Sequence, residues 1–407
     1  MDVQALYALR DVAGVPSHPA LFLILGVVTF ALHLFAVHIM LGGATLTIRG
    51  AFSSDQNWRR LANAMLATAK VAVSVAVVLG VAPLLFVQVI YDPFWYTSNV
   101  LSAWWVIGFI LILCVAYLLV YVFYAKNEDF TKAKTRCPGS MILSLGLFIV
   151  VGLIMHALTN QMLSPNEWLS WYAPEGKIDP SGTQLHSINW ARFSFMILLA
   201  APVTGAWLYG YRHYISVRAD SESEYLNFLS DLAGKMMLYG GIATLILGAL
   251  WMATLPENQA SFASNPLMYL TALILLALAM LPKVMGSKIN QGIAGYLVVL
   301  AALVGVLLVG VDREVIRWFA LVVDAGYNPM DYPINMDWYS TILFFVTFTV
   351  IGGLACGYLL TVAWQAGQTE GVYTPSAAVT RIGNWTIYAI AIWIVHYFAL
   401  GFWVWAQ

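Results

Sequence analysis

Long apolar runs, each closed by polar or turn-forming residues, recur along the whole chain. A bilayer-spanning helix needs about 20 mostly apolar residues. Ten runs approach or exceed that length: 20–48, 61–90, 101–125, 139–163, 190–211, 234–255, 266–282, 290–311, 339–363 and 384–406. The seventh, between Pro266 and Pro282, is the shortest. Turn signals such as Tyr91-Asp92-Pro93, Ser164-Pro165-Asn166 and Gly326-Tyr327-Asn328-Pro329 fall in the connections. The pattern predicts an all-α polytopic membrane protein with about ten transmembrane helices in a bundle. The runs are too continuous for the alternating strands of an outer-membrane barrel. No connection is large enough for a soluble domain. The first run, about 28 residues, is longer than a signal-peptide core and reads as a retained helix.

Composition sharpens this picture. Of 407 residues, 61% are hydrophobic and 10% charged, against about 25% charged in a soluble domain. A net charge of −1 and the lack of a basic block exclude a nucleic-acid-binding surface. Lys and Arg are unevenly placed. Connections after odd-numbered helices carry thirteen: Arg49, Arg59, Arg60, Lys126, Lys132, Lys134, Arg136, Arg212, Arg218, Lys235, Lys283, Lys288 and Arg381. The opposite side carries five: Arg10, Lys177, Arg192, Arg313 and Arg317. The positive-inside rule then puts both termini on the non-cytoplasmic side of a multi-pass bacterial inner-membrane protein, in contact with lipid. Trp95, Tyr96, Trp168, Trp171, Tyr172, Trp338, Tyr339, Trp403 and Trp405 cluster at the outer ends as interface anchors. Lys70, about nine residues into helix 2, reads as a snorkelling side chain. Cys114, Cys137 and Cys356 have neither disulfide nor metal spacing.

Ionisable residues inside hydrocarbon are expensive to bury and point to function. His33 and His38 lie in helix 1, His156 in helix 4 and His396 in helix 10, while His18 and His186 precede outer helix starts. At 1.5 Å per residue, His33 sits about 20 Å below its outer helix end, His396 about 15 Å and His156 about 10 Å. Imidazoles at overlapping depth, glycines that admit a flat macrocycle and outer arginines for propionates are what heme binding asks for. Arg192 and Arg317 stand at that boundary. His33 and His38 are about 140° apart around their helix, so only one of them need be a ligand. Glu314 and Arg317, spaced i,i+3, equally suit an interfacial ion pair.

These residues resemble a family, subunit I of the cytochrome bd quinol oxidases. FALHLFAVHIMLGG, with His33 and Gly42, looks like that family's first helix, and VLGVAPLLFVQVIYDPFW and TNQMLSPNEW are similar to its next landmarks. His186 matches the position of the histidine on the low-spin b heme. DREVIRW resembles the family's Glu-x-x-Arg, which implies Glu314 as an iron ligand and Arg317 as a propionate partner. The resemblance covers about residues 20–320.

The departures weigh on activity. Gln88 stands where the family has an acid, no acid lies between Leu101 and Tyr124, and helices 6 and 7 are joined by a short loop from Pro256 to Asn265. Met268 and Met280 both lie off the position of the family's methionine ligand. A proton-consuming oxygen reduction needs a protonatable route, so its lack speaks against a working oxidase. The expected organisation is an outer segment 1–19, a heme-binding bundle 20–320, an outer loop 321–338 and two further helices over 339–407. The expected function is a subunit binding one or more b hemes that carries electrons between quinone or quinol and an outer-face partner, a c-type cytochrome or iron–sulfur subunit. His33, His186 and Glu314 are ligands by resemblance; His156, His396 and His38 are candidates by depth; Arg317 and Arg192 hold propionates. A true quinol:oxygen oxidase subunit, a heme-free scaffold and a proton-coupled transporter are the alternatives.

Overall fold

The computed structural model describes every residue except Met1, Asp2, Glu128, Lys132, Ala133 and Glu370; Lys132, one of the thirteen inner charges, therefore lies outside the described residues. Among the described residues, ten helices are long and apolar enough to cross a membrane. They are α1 (Pro19–Ala51), α2 (Gln56–Ile90), α3 (Ala103–Lys126), α4 (Pro138–Gln161), α5 (Trp190–Ser216), α6 (Ser223–Ala253), α7 (Pro266–Asn290), α8 (Ala294–Asp324), α9 (Trp338–Gln368) and α10 (Ala377–Trp405). The chain is an all-α polytopic membrane protein.

Helix starts follow the capping chemistry of the sequence. Asp55, Asn189, Asn265 and Asp337 each accept a backbone N–H at the start of α2, α5, α7 and α9, satisfying donors that have no partner within the helix. Two stretches differ from the hydropathy reading. Asp92–Leu101 is a short helix with Pro93 in its first turn, burying Phe94, Trp95 and Ser98; Asp-Pro signals a helix start as well as a turn. α6 begins at Ser223 because SEYLNFLSDLAGK is amphipathic, burying Tyr225, Leu229 and Ala233 on one face while its mean polarity hides it from hydropathy. α5 is interrupted at Leu199, just before Pro202, where proline cannot complete the helical ladder.

The chain divides into two compact units, the first comprising Met1–Val12, Pro19–His213 and Ser223–Tyr332. Within it, α1 packs along α2 on one side and α8 on the other, α3 packs on α4, α5 on α6, and α7 on α8. Lipid is as apolar as leucine, so such packing relies on close approach. Leu61, Ala62, Met65, Leu66 and Ala69 form one buried face of α2, and on α1 a Cβ at Gly42 would overlap Thr204 of α5. Lys70 lies over the Tyr124 ring at 3.6 Å, a tip directed toward one end of α3.

Outside the spans, Arg10 ties the N-terminal segment to 326–332. Its guanidinium lies 4.0, 4.1 and 4.2 Å from the ring centroids of Tyr7, Tyr327 and Tyr332, and it donates to the Asn328 carbonyl at 2.6 Å. Tyr332 donates to Asp92. Burial raises the Asp92 carboxyl above its ordinary range, against the hydrogen bond from Tyr332, and burial pushes the Tyr327 phenol up to about 12.

The second unit comprises Ala13–His18, Tyr214–Glu222 and Pro333–Gln407. α9 and α10 pack on each other and otherwise expose apolar side chains, as lipid-facing helices do. Val15 exchanges backbone hydrogen bonds with Pro333 and Asn335. Gly14, at φ +75°, makes that approach possible, since a Cβ there would meet the Pro333 carbonyl.

Candidate functional site

A carbonyl oxygen only accepts, so each histidine bonded to one has a fixed tautomer. His33 Nδ1 lies 2.8 Å from the Ala76 carbonyl of α2 and must donate, which leaves the Nε2 lone pair available. No hydrogen bond reaches that nitrogen among the described residues, and the side chain is half-buried. Nδ1–H on a carbonyl with Nε2 free is the arrangement that orients metal-binding imidazoles. Gly80, one turn beyond Ala76, makes room: a Cβ there would stand 2.8 Å from the ring's Cε1 and Nδ1.

The other candidates are placed differently. His38 Nε2 donates to the Met196 carbonyl of α5 at 2.9 Å, and its Nδ1 is buried without a partner; it cross-links α1 and α5. His156 Nε2 accepts from Asn160 Nδ2 at 3.1 Å and from the Asn189 backbone N–H at 3.2 Å, so that lone pair is engaged. Glu314 has both oxygens filled, one by the Tyr91 hydroxyl at 3.1 Å and one by Arg317 at 2.5 Å. Burial, with Glu314 beside it, raises the Tyr91 phenol above its usual range. His186 lies in the α4–α5 loop with its ring stacked on Trp171, centroids 4.9 Å apart at 5°. His396 belongs to the second unit, paired with the Tyr339 hydroxyl at 2.5 Å. The described residues contain no group of three or more His, Cys, Asp or Glu suited to one metal ion.

What does converge is positive charge. Arg192, Arg313 and Arg317 act on one another electrostatically, with Glu314 beside them. Arg192 donates to Asn160 Oδ1, leaving its buried Nε unpartnered. Arg313 lies over the Phe30 ring of α1 at 4.1 Å, close enough to act on His33, and has no hydrogen bond or ion pair among the described residues. One carboxylate against three guanidiniums leaves two positive charges uncompensated inside a membrane bundle, where each is costly without a partner.

Sequence reasoning counted Arg313 only as an outer charge and missed Asp312. In DREVIRW successive residues turn by about 100°: Arg313 meets α1, Glu314 meets Tyr91 beside α2, and Asp312 is buried with Oδ1 unpartnered. Gln161 and Asn160, the amides at the outer end of α4, are spent within the fold. Gln161 accepts from Ser102 and the His186 backbone N–H and donates to the Ser98 carbonyl. Asn160 serves His156, Arg192 and the Ser187 carbonyl.

The groups that could hold a cofactor are therefore His33, with one oriented imidazole nitrogen, and the arginines Arg192 and Arg313. Comparison with known protein families, curated proteins and solved structures finds no match to this chain.

Proposed function

We propose that the chain is a heme b-binding membrane subunit that carries electrons between the quinone or quinol pool and an outer-face redox partner, as a divergent relative of the bd-type subunit I. The observation that carries this is His33: a span histidine with a fixed tautomer and a free Nε2, beside the uncompensated Arg313. His33 would hold the iron, and Arg313 and Arg192 would take the propionates, while Arg317 is already matched by Glu314. When bound, heme supplies one-electron redox chemistry. The Ala76 carbonyl fixes the imidazole and Gly80 leaves it room. No connection among the described residues is a redox domain, so a c-type cytochrome or iron–sulfur subunit completes the path. The setting is a bacterial inner membrane with both termini outside.

Anaerobic addition of a short-tailed quinol to the purified chain tests the reading: reduced b-type bands are expected, and a spectrum unchanged by quinol overturns it. Asp312, a buried span carboxyl with a partnerless oxygen, favours a second reading, a proton-coupled transporter. Proton uptake into proteoliposomes that is abolished in Asp312→Asn would support it.

A further inference from the structure

The α4–α5 loop builds a pocket whose lining includes His186, a heme ligand only by resemblance, and none of His33, Arg192 and Arg313, the residues proposed above to hold the heme. It is a cavity of about 130 Å³ whose lining includes Val100, Trp171, Tyr172, Asp179, Gly182 and His186. Its walls are pinned by hydrogen bonds from the neighbouring helix start. Trp104 N donates to the Gly182 carbonyl at 3.1 Å, Trp105 Nε1 to the Thr183 carbonyl at 2.8 Å, and Ser102 Oγ to the Gln184 carbonyl at 2.6 Å. Gly182, at φ +61°, allows this approach, since a Cβ there would stand 2.9 Å from Ala103 N. The loop is therefore preformed.

The functional groups in this pocket are of two kinds. Trp171 and His186 present a stacked pair of flat rings. The His186 ring nitrogens have no partner among the described residues, and an imidazole nitrogen that carries a lone pair can accept a hydrogen bond. Hydrogen bonds from Ser181 hold the Asp179 carboxyl below the usual range, leaving an ionised acceptor. Flat rings with two acceptors suit an aromatic ring that bears hydroxyl donors. Val100 at the pocket and Trp104, Ile107 and Leu111 along α3 are 64–68% exposed, an apolar face that could take the tail of a lipid-soluble ligand.

We infer that this pocket binds the head group of a lipid-soluble hydroquinone, its ring packed against Trp171 and its hydroxyls donating to an in-plane ring nitrogen of His186 and to Asp179. The inference rests on the electron-transfer reading and gives it a substrate site. Anaerobic photolabelling of the purified chain with a short-tailed azidohydroquinone kept reduced, followed by peptide mapping, tests it. The label is expected within 168–189, to be competed by the unlabelled hydroquinone, and to fall about tenfold in Trp171→Ala and His186→Ala. Val100→Trp, an exposed position that blocks the mouth without touching the loop's hydrogen bonds, should reduce it equally. Uncompeted label, label mapping elsewhere, or label undiminished in Val100→Trp would overturn the assignment. Heme content of the same preparation separates the two claims: heme without competed label in this loop refutes the pocket alone, and competed label without heme refutes the heme reading alone.

Discussion

Gly80→Ala places a methyl carbon 2.8 Å from two atoms of the His33 ring, where ordinary van der Waals contact begins at 3.4 Å. The ring must move by at least the difference, about 0.6 Å, yet it is tethered by its 2.8 Å hydrogen bond to Ala76. Relief therefore stretches or breaks that bond. Intramembrane hydrogen bonds contribute about 0.6–2 kcal/mol, and overpacking costs about 1–3 kcal/mol, so a loss of about 1–3 kcal/mol is expected. Thermal unfolding in detergent measures it, with Gly108→Ala, which meets nothing within 4 Å, as the neutral control. Heme retention should fall in Gly80→Ala because the axial nitrogen is mis-aimed. In a His33→Ala background the methyl has no ring to meet, and the penalty should vanish; this non-additivity separates a specific contact from general helix disruption. An equal Gly80→Ala penalty with and without the His33 ring would refute the reasoning.

Other substitutions separate structural from chemical roles. Glu314→Gln strands the buried Arg317, whose side chain is 6% exposed, and should cost about 3–5 kcal/mol; Tyr91→Phe removes one hydrogen bond and should cost about 1 kcal/mol, so equal losses in thermal unfolding would contradict the ion pair's role. His156→Ala leaves the Asn189 N–H unpaired and should lower stability by about 1–3 kcal/mol while leaving heme per chain unchanged. Arg10→Ala should release the N-terminal segment, seen as faster amide exchange over residues 4–10 and 326–332 with the spans unaffected. Asp92 is held protonated more tightly folded than unfolded. Its contribution to stability is present below the ordinary carboxylate range and lost as pH rises through the raised folded value, and Asp92→Asn should flatten that part of the stability–pH profile.

All ten spans were legible because a 20-residue apolar run has few other uses. Their boundaries were less so: Ser223–Lys235 is helical through amphipathic burial that mean hydropathy averages away, and Asp92–Leu101 hid behind a turn signal. At the candidate site, depth along a helix placed His33, His156 and His396 at overlapping levels but could not show which way each ring points. The hydrogen-bond partners decide that, and they come from other helices: Ala76 for His33, Met196 for His38, Asn189 for His156. Arg313 was hidden for the same reason, since its significance lies in a missing carboxylate that only packing reveals.

The most direct measurement is a reduced-minus-oxidised visible spectrum with pyridine hemochrome quantitation on the purified chain, run beside His33→Ala and His38→Ala. The expected result is a b-type spectrum that disappears in His33→Ala and persists in His38→Ala. A chain without heme, or a spectrum unchanged by His33→Ala, would contradict the assignment of His33 as the iron ligand.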